Sequence, residues 1–207
     1  MSEVWAILYG IIQGITEFLP VSSSGHLALL PHFFTFEDLG VIFDLCMHLG
    51  TTLAVIVYFF QDIRKLLVNP ITLIKERNNF YVMNFIITTI SSVIVILLIK
   101  GLAFEFGRSS KFIAFNLIFF GVLMIISDRL GTDHHNPFKK SHMIISALIG
   151  VAQSIAVFPG VSRSGATVTA ARLFHIGRVE ASRFSFLMSL PIILASISYK
   201  TPQILSG

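Results

Sequence analysis

Glu17, His26 and Arg163 are ionisable groups set in or beside apolar runs, and hydroxyls crowd around them: Ser22, Ser23, Ser24, Ser162, Ser164 and Thr167. An ionised group at the centre of a membrane helix costs roughly 2.5–3.5 kcal/mol on insertion scales, so it is kept there for a reason. The set suits a phosphate. A guanidinium such as that of Arg163 forms a bidentate fork to phosphate oxygens. Successive N–H groups at a Gly/Ser-rich turn opening a helix bind anions, and Gly25, Gly160 and Gly165 let the backbone approach a ligand closely. Glu17 can hold a divalent cation that neutralises a polyphosphate. His26 offers an imidazole, a carrier of protons, and a serine beside it becomes a nucleophile when a base is in reach. Residue types alone do not choose among Ser22, Ser23 and Ser24. Together the parts make a phosphoryl-transfer site. Each also has a structural reading: a Ser-Ser-Ser-Gly-His run caps helices, Arg163 can serve as the partner of Glu17, and all three charged groups can snorkel at an interface.

These residues fall in two stretches that repeat one another. Gly10 to His26 aligns with Gly150 to Ala166, and Gly10/Gly150, Gln13/Gln153, Ile15/Ile155, Phe18/Phe158, Val21/Val161, Ser22/Ser162, Ser24/Ser164 and Gly25/Gly165 are identical. Each copy is an apolar run broken by Pro, Gly and serines. Interrupted helices in matched positions of two halves point to a site buried in a membrane protein.

Composition supports a membrane setting. The 207 residues are 54% hydrophobic and only 13% charged, with a mean hydropathy of +0.81, whereas soluble domains carry about 25% charged residues. The net charge of +4 does not mark a nucleic-acid binder: the basic residues sit between apolar runs, as in a multispanning protein, rather than on one face. The start Met1-Ser2-Glu3 lacks the basic region of a cleaved signal peptide. Cys46 stands alone in an apolar run, which excludes an intrachain disulfide and suits packing.

The pattern predicts an all-α integral membrane protein. Phe80–Ile99 and Val41–Phe60 have spanning length; Phe112–Ser127 and Phe184–Tyr199 are shorter and extend into their flanks. Val4–Leu19 and Met143–Phe158 each run into a break, followed by Leu27–Phe36 and Val168–Phe174, pieces too short to span. Each pair reads as a re-entrant hairpin, tolerated at that depth only where it is buried in protein or lines a wet cavity. One hairpin and three crossings make a unit, so the second unit starts from the opposite side and the repeats are inverted. Residues 1–207 read as one polytopic domain, with repeat one at 1–140 and repeat two at 141–207. The latter reads as incomplete, since the shift predicts roughly two further helices. The basic residues of loops 61–79 and 128–142 put those loops in the cytoplasm.

Other polar residues have two readings each. Asp44 and His48, four apart on one helix, form either a mutually satisfied pair or support for the site. Gln13 and Gln153 are interhelical hydrogen-bond glue or site lining. His134, His135 and His142 lie in a polar loop, where a metal site is a minor alternative.

The stretch Gln13-Gly-Ile-Thr-Glu17-Phe-Leu-Pro-Val-Ser-Ser-Ser-Gly-His26 resembles the (Glu/Gln)-x-x-x-Glu block and the Pro-Val-Ser-Ser-x-Gly-His run of the undecaprenyl-pyrophosphate phosphatase family, also called BacA or UppP. Pro159-Gly-Val-Ser-Arg163-Ser-Gly-Ala-Thr167 is similar to that family's second signature, and Phe43–Thr51 and Ala181–Pro191 also resemble family segments. The resemblance implies a multi-pass enzyme of the cell membrane that hydrolyses a polyprenyl diphosphate to the monophosphate, recycling the lipid carrier for cell-wall polymers. It implies Ser23 as nucleophile, His26 as its proton partner and Glu17 for the metal or acid/base step. Arg163, Ser162 and Thr167 would bind the diphosphate, with Ser22, Ser24, Gly25, Ser164 and Gly165 completing the cradle. Mg²⁺ or Ca²⁺ would be held by Glu17 and Gln13, the latter standing where many members have a first Glu. Homo-oligomer formation is a further expectation. The rival classes are a transporter of phosphorylated polyprenyl lipid, which inverted repeats also suit, and an inactive lipid-binding subunit.

Overall fold

The computed structural model describes residues 3–33, 40–68, 80–106, 109–132 and 142–205. Among them the chain is helical and forms no strand. In order come α1 (Glu3–Phe18), α2 (Ser23–Phe33), α3 (Gly40–Tyr58), α4 (Phe60–Val68), α5 (Phe80–Phe106), α6 (Ser110–Leu130), α7 (Met143–Ser154), a 3₁₀ turn (Ile155–Val157), α8 (Arg163–Leu173) and α9 (Arg178–Leu205). Three stretches are long and apolar enough to cross a membrane: Phe80–Leu102, Ser110–Leu130 and Arg178–Tyr199. Exposed Ile90, Ile94, Leu97 and Leu98 on α5, and Phe115, Ile118, Phe119 and Val122 on α6, form the apolar exterior such helices present.

Both breaks occur where the repeat predicts them. Shifted by 140 residues, Ser23–Phe33 falls on Arg163–Leu173, the observed bounds of α8. Hydropathy places the start of these helices later, at Leu27 and Val168, because their first turns are polar. The helices begin instead at serine caps. Ser22 Oγ accepts from the N–H of Gly25 at 3.3 Å, and Ser162 Oγ from the N–H of Gly165 at 3.0 Å. Pro20, which lacks an N–H, and Gly160, at φ +88°, stop the preceding segments.

The two breaks pack on one another through their glycines. A Cβ on Gly25 would lie 3.2 Å from the Cα of Gly160, and one on Gly165 would lie 3.3 Å from the carbonyl of Pro20. The pairing is reciprocal under the repeat, since Gly25 matches Gly165 and Pro20 matches Gly160. Helix α6 grips the second break from behind: Asn116 donates to the Pro159 carbonyl at 2.9 Å, and a Cβ on Gly160 would come within 2.5 Å of the Ile113 carbonyl.

The most extensive helix packing joins α5 to α7. It uses small and hydroxylated residues, as membrane helices do. Thr88 and Ser92 of α5 donate to the carbonyls of Ser146 and Gly150, both at 2.9 Å, and Gly150 has no room for a methyl, with Ser91 Oγ 2.0 Å from its would-be Cβ. Beside this interface the apolar core gathers Ile149, Ala170, Ala171, Ile176, Ala181, Phe184 and Met188 from the second half. Arg172, 1% exposed, ends α8 inside the protein. It donates to the carbonyls of Gly131, Asp128, Thr132 and Ile176 and to the Asp128 carboxylate, tying off the open C-terminal end of α6.

Three expectations change. The 41–60 segment ends as α3 at Tyr58 and is followed by the separate α4, whose Asp62 pairs with Arg183 of α9. Helix α5 runs past Ile99 to Phe106, since helix ends are set by capping rather than hydropathy, whereas α6 and α9 extend into their flanks as expected. Cys46 is exposed rather than packed. Gly25 and Gly165 admit the backbone of the opposite break, and Gly160 that of α6. The Asp44 side chain, His134, His135 and most of the loops bearing on orientation lie outside the described residues.

Candidate active site

Glu17 sits on the last turn of α1, just before the first break, and Arg163 on the first turn of α8, just after the second. Because the breaks pack together, residues 146 apart in sequence meet: Arg163 Nη2 donates to Glu17 Oε1 at 2.5 Å. The carboxylate's other oxygen is crowded. Ser23 Oγ donates to Glu17 Oε2 at 2.6 Å, Gln13 Nε2 does so at 3.1 Å, and His48 Nε2 of α3 lies 3.6 Å away. The carboxylate side chain is 8% exposed and the guanidinium 15%, so both are largely withdrawn from solvent. A charge pair so withdrawn needs every hydrogen bond satisfied, or a ligand that supplies what is missing. Two atoms here lack a partner among the described residues: Gln13 Oε1 and Arg163 Nη1.

A cavity of about 340 Å³ opens at this point. The starts of α2 and α8 contribute Ser22, Ser23, Ser24, Ser162 and Ser164, and the polar floor is completed by Glu17, Arg163 and His48. Two helix N-termini facing one cavity give a doubly favourable place for an anion. The far wall is apolar, made by Ile96 of α5 and Ile192, Ile193 and Ile197 of α9. A ligand with a charged head and a hydrocarbon tail matches both halves of this lining.

The structure thus brings Glu17, Ser22, Ser23, Ser24, Ser162, Arg163 and Ser164 to one cavity. It places the others elsewhere. His26 is exposed, does not line the cavity, and spends its Nδ1–H on the Ser22 carbonyl at 2.8 Å. Thr167 is fully buried behind the site, bonded to Gln153 Oε1 at 3.2 Å and to the Arg163 carbonyl at 2.9 Å. Gly25 and Gly165 serve the crossing of the breaks. Gln153 has both of the roles read from sequence: it lines the cavity and donates to Ser92 Oγ at 3.0 Å. The residue underrated from sequence is His48, the imidazole actually beside the carboxylate. Its local signal was a spacing of four from Asp44, which says nothing about α1.

A divalent cation fits this donor set through oxygen alone. The described residues hold no group of three His, Cys, Asp or Glu side chains fit for a metal. The orphaned Gln13 Oε1 and the Glu17 carboxylate it adjoins are hard donors. Two protein oxygens, with phosphate oxygens and water filling the remaining positions, is a pattern Mg²⁺ accepts.

A helical membrane protein with a serine-lined, charged cavity between two interrupted helices is the class that these features define. The chain belongs to the BacA family: residues 6–207 match the family described as "Bacitracin resistance protein BacA". Relatives named undecaprenyl-diphosphatase extend over nearly all of it. That of Gemmatimonas aurantiaca is 41% identical over 97% of this chain and 77% of the relative. Those of Saccharophagus degradans and Moorella thermoacetica are 40% and 37% identical over 96% and 99% of this chain, and 76% and 78% of theirs. The chain is therefore a multi-pass protein of the cell membrane, in keeping with the three helices, among the described residues, that are long and apolar enough to cross one.

Proposed function

We propose that this protein hydrolyses undecaprenyl, or another polyprenyl, diphosphate to the monophosphate and phosphate, returning the lipid carrier to cell-wall synthesis. The observation that carries the reading is the convergence of Ser23 and Arg163 on the two oxygens of Glu17, inside a cavity that is polar at one end and apolar at the other. The diphosphate head lies among the serines at the starts of α2 and α8, and the tail leaves along the isoleucines of α5 and α9.

Ser23 is the serine whose hydroxyl already points its proton at a base, the arrangement a nucleophile requires. Its Oγ attacks the terminal phosphorus while Glu17 takes the proton. The bond from that phosphorus to the bridging oxygen breaks, and the lipid monophosphate departs. Water then adds to the phosphoserine, the Ser23 oxygen leaves and recovers its proton from Glu17, and the protons of water leave with phosphate. Arg163, through the unpartnered Nη1, accepts charge developing on the phosphoryl oxygens. Glu17 and Gln13 hold Mg²⁺ or Ca²⁺, whose contribution when bound is to neutralise the diphosphate. His26 lies outside this scheme, and His48 takes its place at the carboxylate.

We further read the two halves as inverted repeats with re-entrant hairpins. The reciprocal packing of Gly25 on Gly160 and of Gly165 on Pro20 supports this, because a two-fold relation exchanges partners in that way.

The test is phosphate release from polyprenyl diphosphate by purified protein in detergent with Mg²⁺. Release that vanishes in Ser23→Ala supports the scheme. Normal release in Ser23→Ala would remove the covalent step, and no release by the wild-type protein would end the phosphatase reading.

A further inference from the structure

The charges that line the cavity cancel: among the described residues they are Glu17 and Arg163, already paired with each other. A diphosphate head brings up to three negative charges there, about one more than a single divalent cation offsets, so a further protein cation is favourable. One stands just past the cavity's apolar wall. Lys100 follows Ile96 by four residues on α5, which puts it on the same helix face about 6 Å farther along. A lysine's flexible four-carbon stem spans a comparable distance. Lys100 makes no ion pair among the described residues. Its Nζ donates to the Tyr199 hydroxyl at 3.3 Å and sits 4.8 Å from the centre of that ring. Tyr199 is itself three residues beyond Ser196 and two beyond Ile197, both of the cavity wall on α9. The pair therefore bridges α5 and α9 about one turn beyond the residues those helices give to the cavity wall, near the ends of their apolar stretches at Leu102 and Tyr199. An ammonium held by a neutral phenol is held weakly, by roughly 0.5–1 kcal/mol at an exposed site.

We propose that Lys100 is a substrate-capture residue of the phosphatase site: it rests on Tyr199 and pairs with the diphosphate head as the head passes between α5 and α9, ahead of the tail, toward the serines. The proposal rests on the phosphatase reading, and it concerns capture of the head rather than the chemical step. A purely interfacial anchor is the competing role, and it makes a different prediction. If the pair only fastens two helices, breaking it from either side has one consequence. If Lys100 serves the substrate, the two sides differ.

The experiment measures KM and kcat for polyprenyl diphosphate, and binding of the same lipid to nanodisc-held protein in a Ser23→Ala background. Lys100→Met is expected to raise KM about tenfold with kcat within twofold, and to weaken diphosphate binding by a similar factor while leaving undecaprenol binding unmoved. Lys100→Arg restores most of the affinity. Tyr199→Leu, which frees the lysine, leaves KM unchanged or lowers it. Raising ionic strength increases the wild-type KM more than that of Lys100→Met. Equal KM changes in Lys100→Met and Tyr199→Leu, or loss confined to kcat, would overturn the proposal. Should wild-type protein release no phosphate, the binding arm still decides whether Lys100 recognises a diphosphate.

Discussion

The two breaks are copies of one design that have divided the chemistry between them. Each reopens a helix on a serine whose Oγ accepts from the N–H three residues on. Each carries a second serine two residues later, at 3.4 Å in the first copy and 3.2 Å in the second. They differ at nine of seventeen aligned positions, and three of these divide the roles. Where the first has Glu17, the second has Val157; where the first has Ser23, the second has Arg163; and where the first stops its helix with Pro20, the second uses Gly160. The backbones differ accordingly: Ser22 takes the left-handed conformation at φ 65°, whereas Ser162 is extended at φ −70° and Gly160 carries the left-handed turn instead. Duplication supplies the scaffold twice, but acid and hydroxyl come from one copy and the guanidinium from the other. Neither half is a site.

The sharpest way to break that division is to remove one partner from each side. Glu17→Ala and Arg163→Ala should each reduce phosphate release at least about a hundredfold, the size seen when a transition-state donor is lost. The double variant should be little worse than either, because residues acting as a unit are not additive. Full additivity would mean that the pair does not act together. Next in size, Gln13→Glu supplies a second carboxylate beside Glu17, and the Mg²⁺ concentration for half-maximal release should fall about tenfold; an unchanged metal titration would remove Gln13 from the donor set.

The contrast in how the helices stop predicts stability effects. Gly160→Ala forces a methyl toward the Ile113 carbonyl at a left-handed position, and should destabilise by at least about 1–3 kcal/mol. Pro20→Ala meets no such demand and should stay within about 1 kcal/mol. Thermal unfolding in detergent compares them, and similar losses would mean that the breaks are not differently constrained. Smallest is Gln153→Leu, which severs bonds to Ser92 and Thr167. Interhelical hydrogen bonds in membranes average about 0.6 kcal/mol, so its unfolding midpoint should shift only slightly.

What could be read from the sequence follows from where information repeats. The breaks, and the pairing of Glu17 with Arg163, were legible because duplicated Pro/Gly/Ser interruptions are rare and an intramembrane charge demands a partner. His48 was not, since nothing local to α3 says that α1 will bring a carboxylate to it. Arg172 went unnoticed for the same reason: its partners are carbonyls at the end of α6, and carbonyls leave no mark in a sequence. At Gly25 and Gly165 the sequence announces crowding without naming the neighbour. A missing side chain signals close approach, but not whether ligand or backbone does the approaching. Sequence fixed on His26 because it follows the serines directly, whereas in the fold its ring turns back to its own helix's first carbonyl.

The span of 146 residues between Glu17 and its guanidinium has a bearing on how the protein is born. While the ribosome is still feeding the middle helices into the bilayer, the acid of the first hairpin has no counter-ion, and the nascent chain can neither grip nor cleave a lipid. Competence arrives only with the second hairpin. Two separately expressed pieces, cut in the segment between α6 and α7, would each be silent and would gain activity only by finding one another in the membrane.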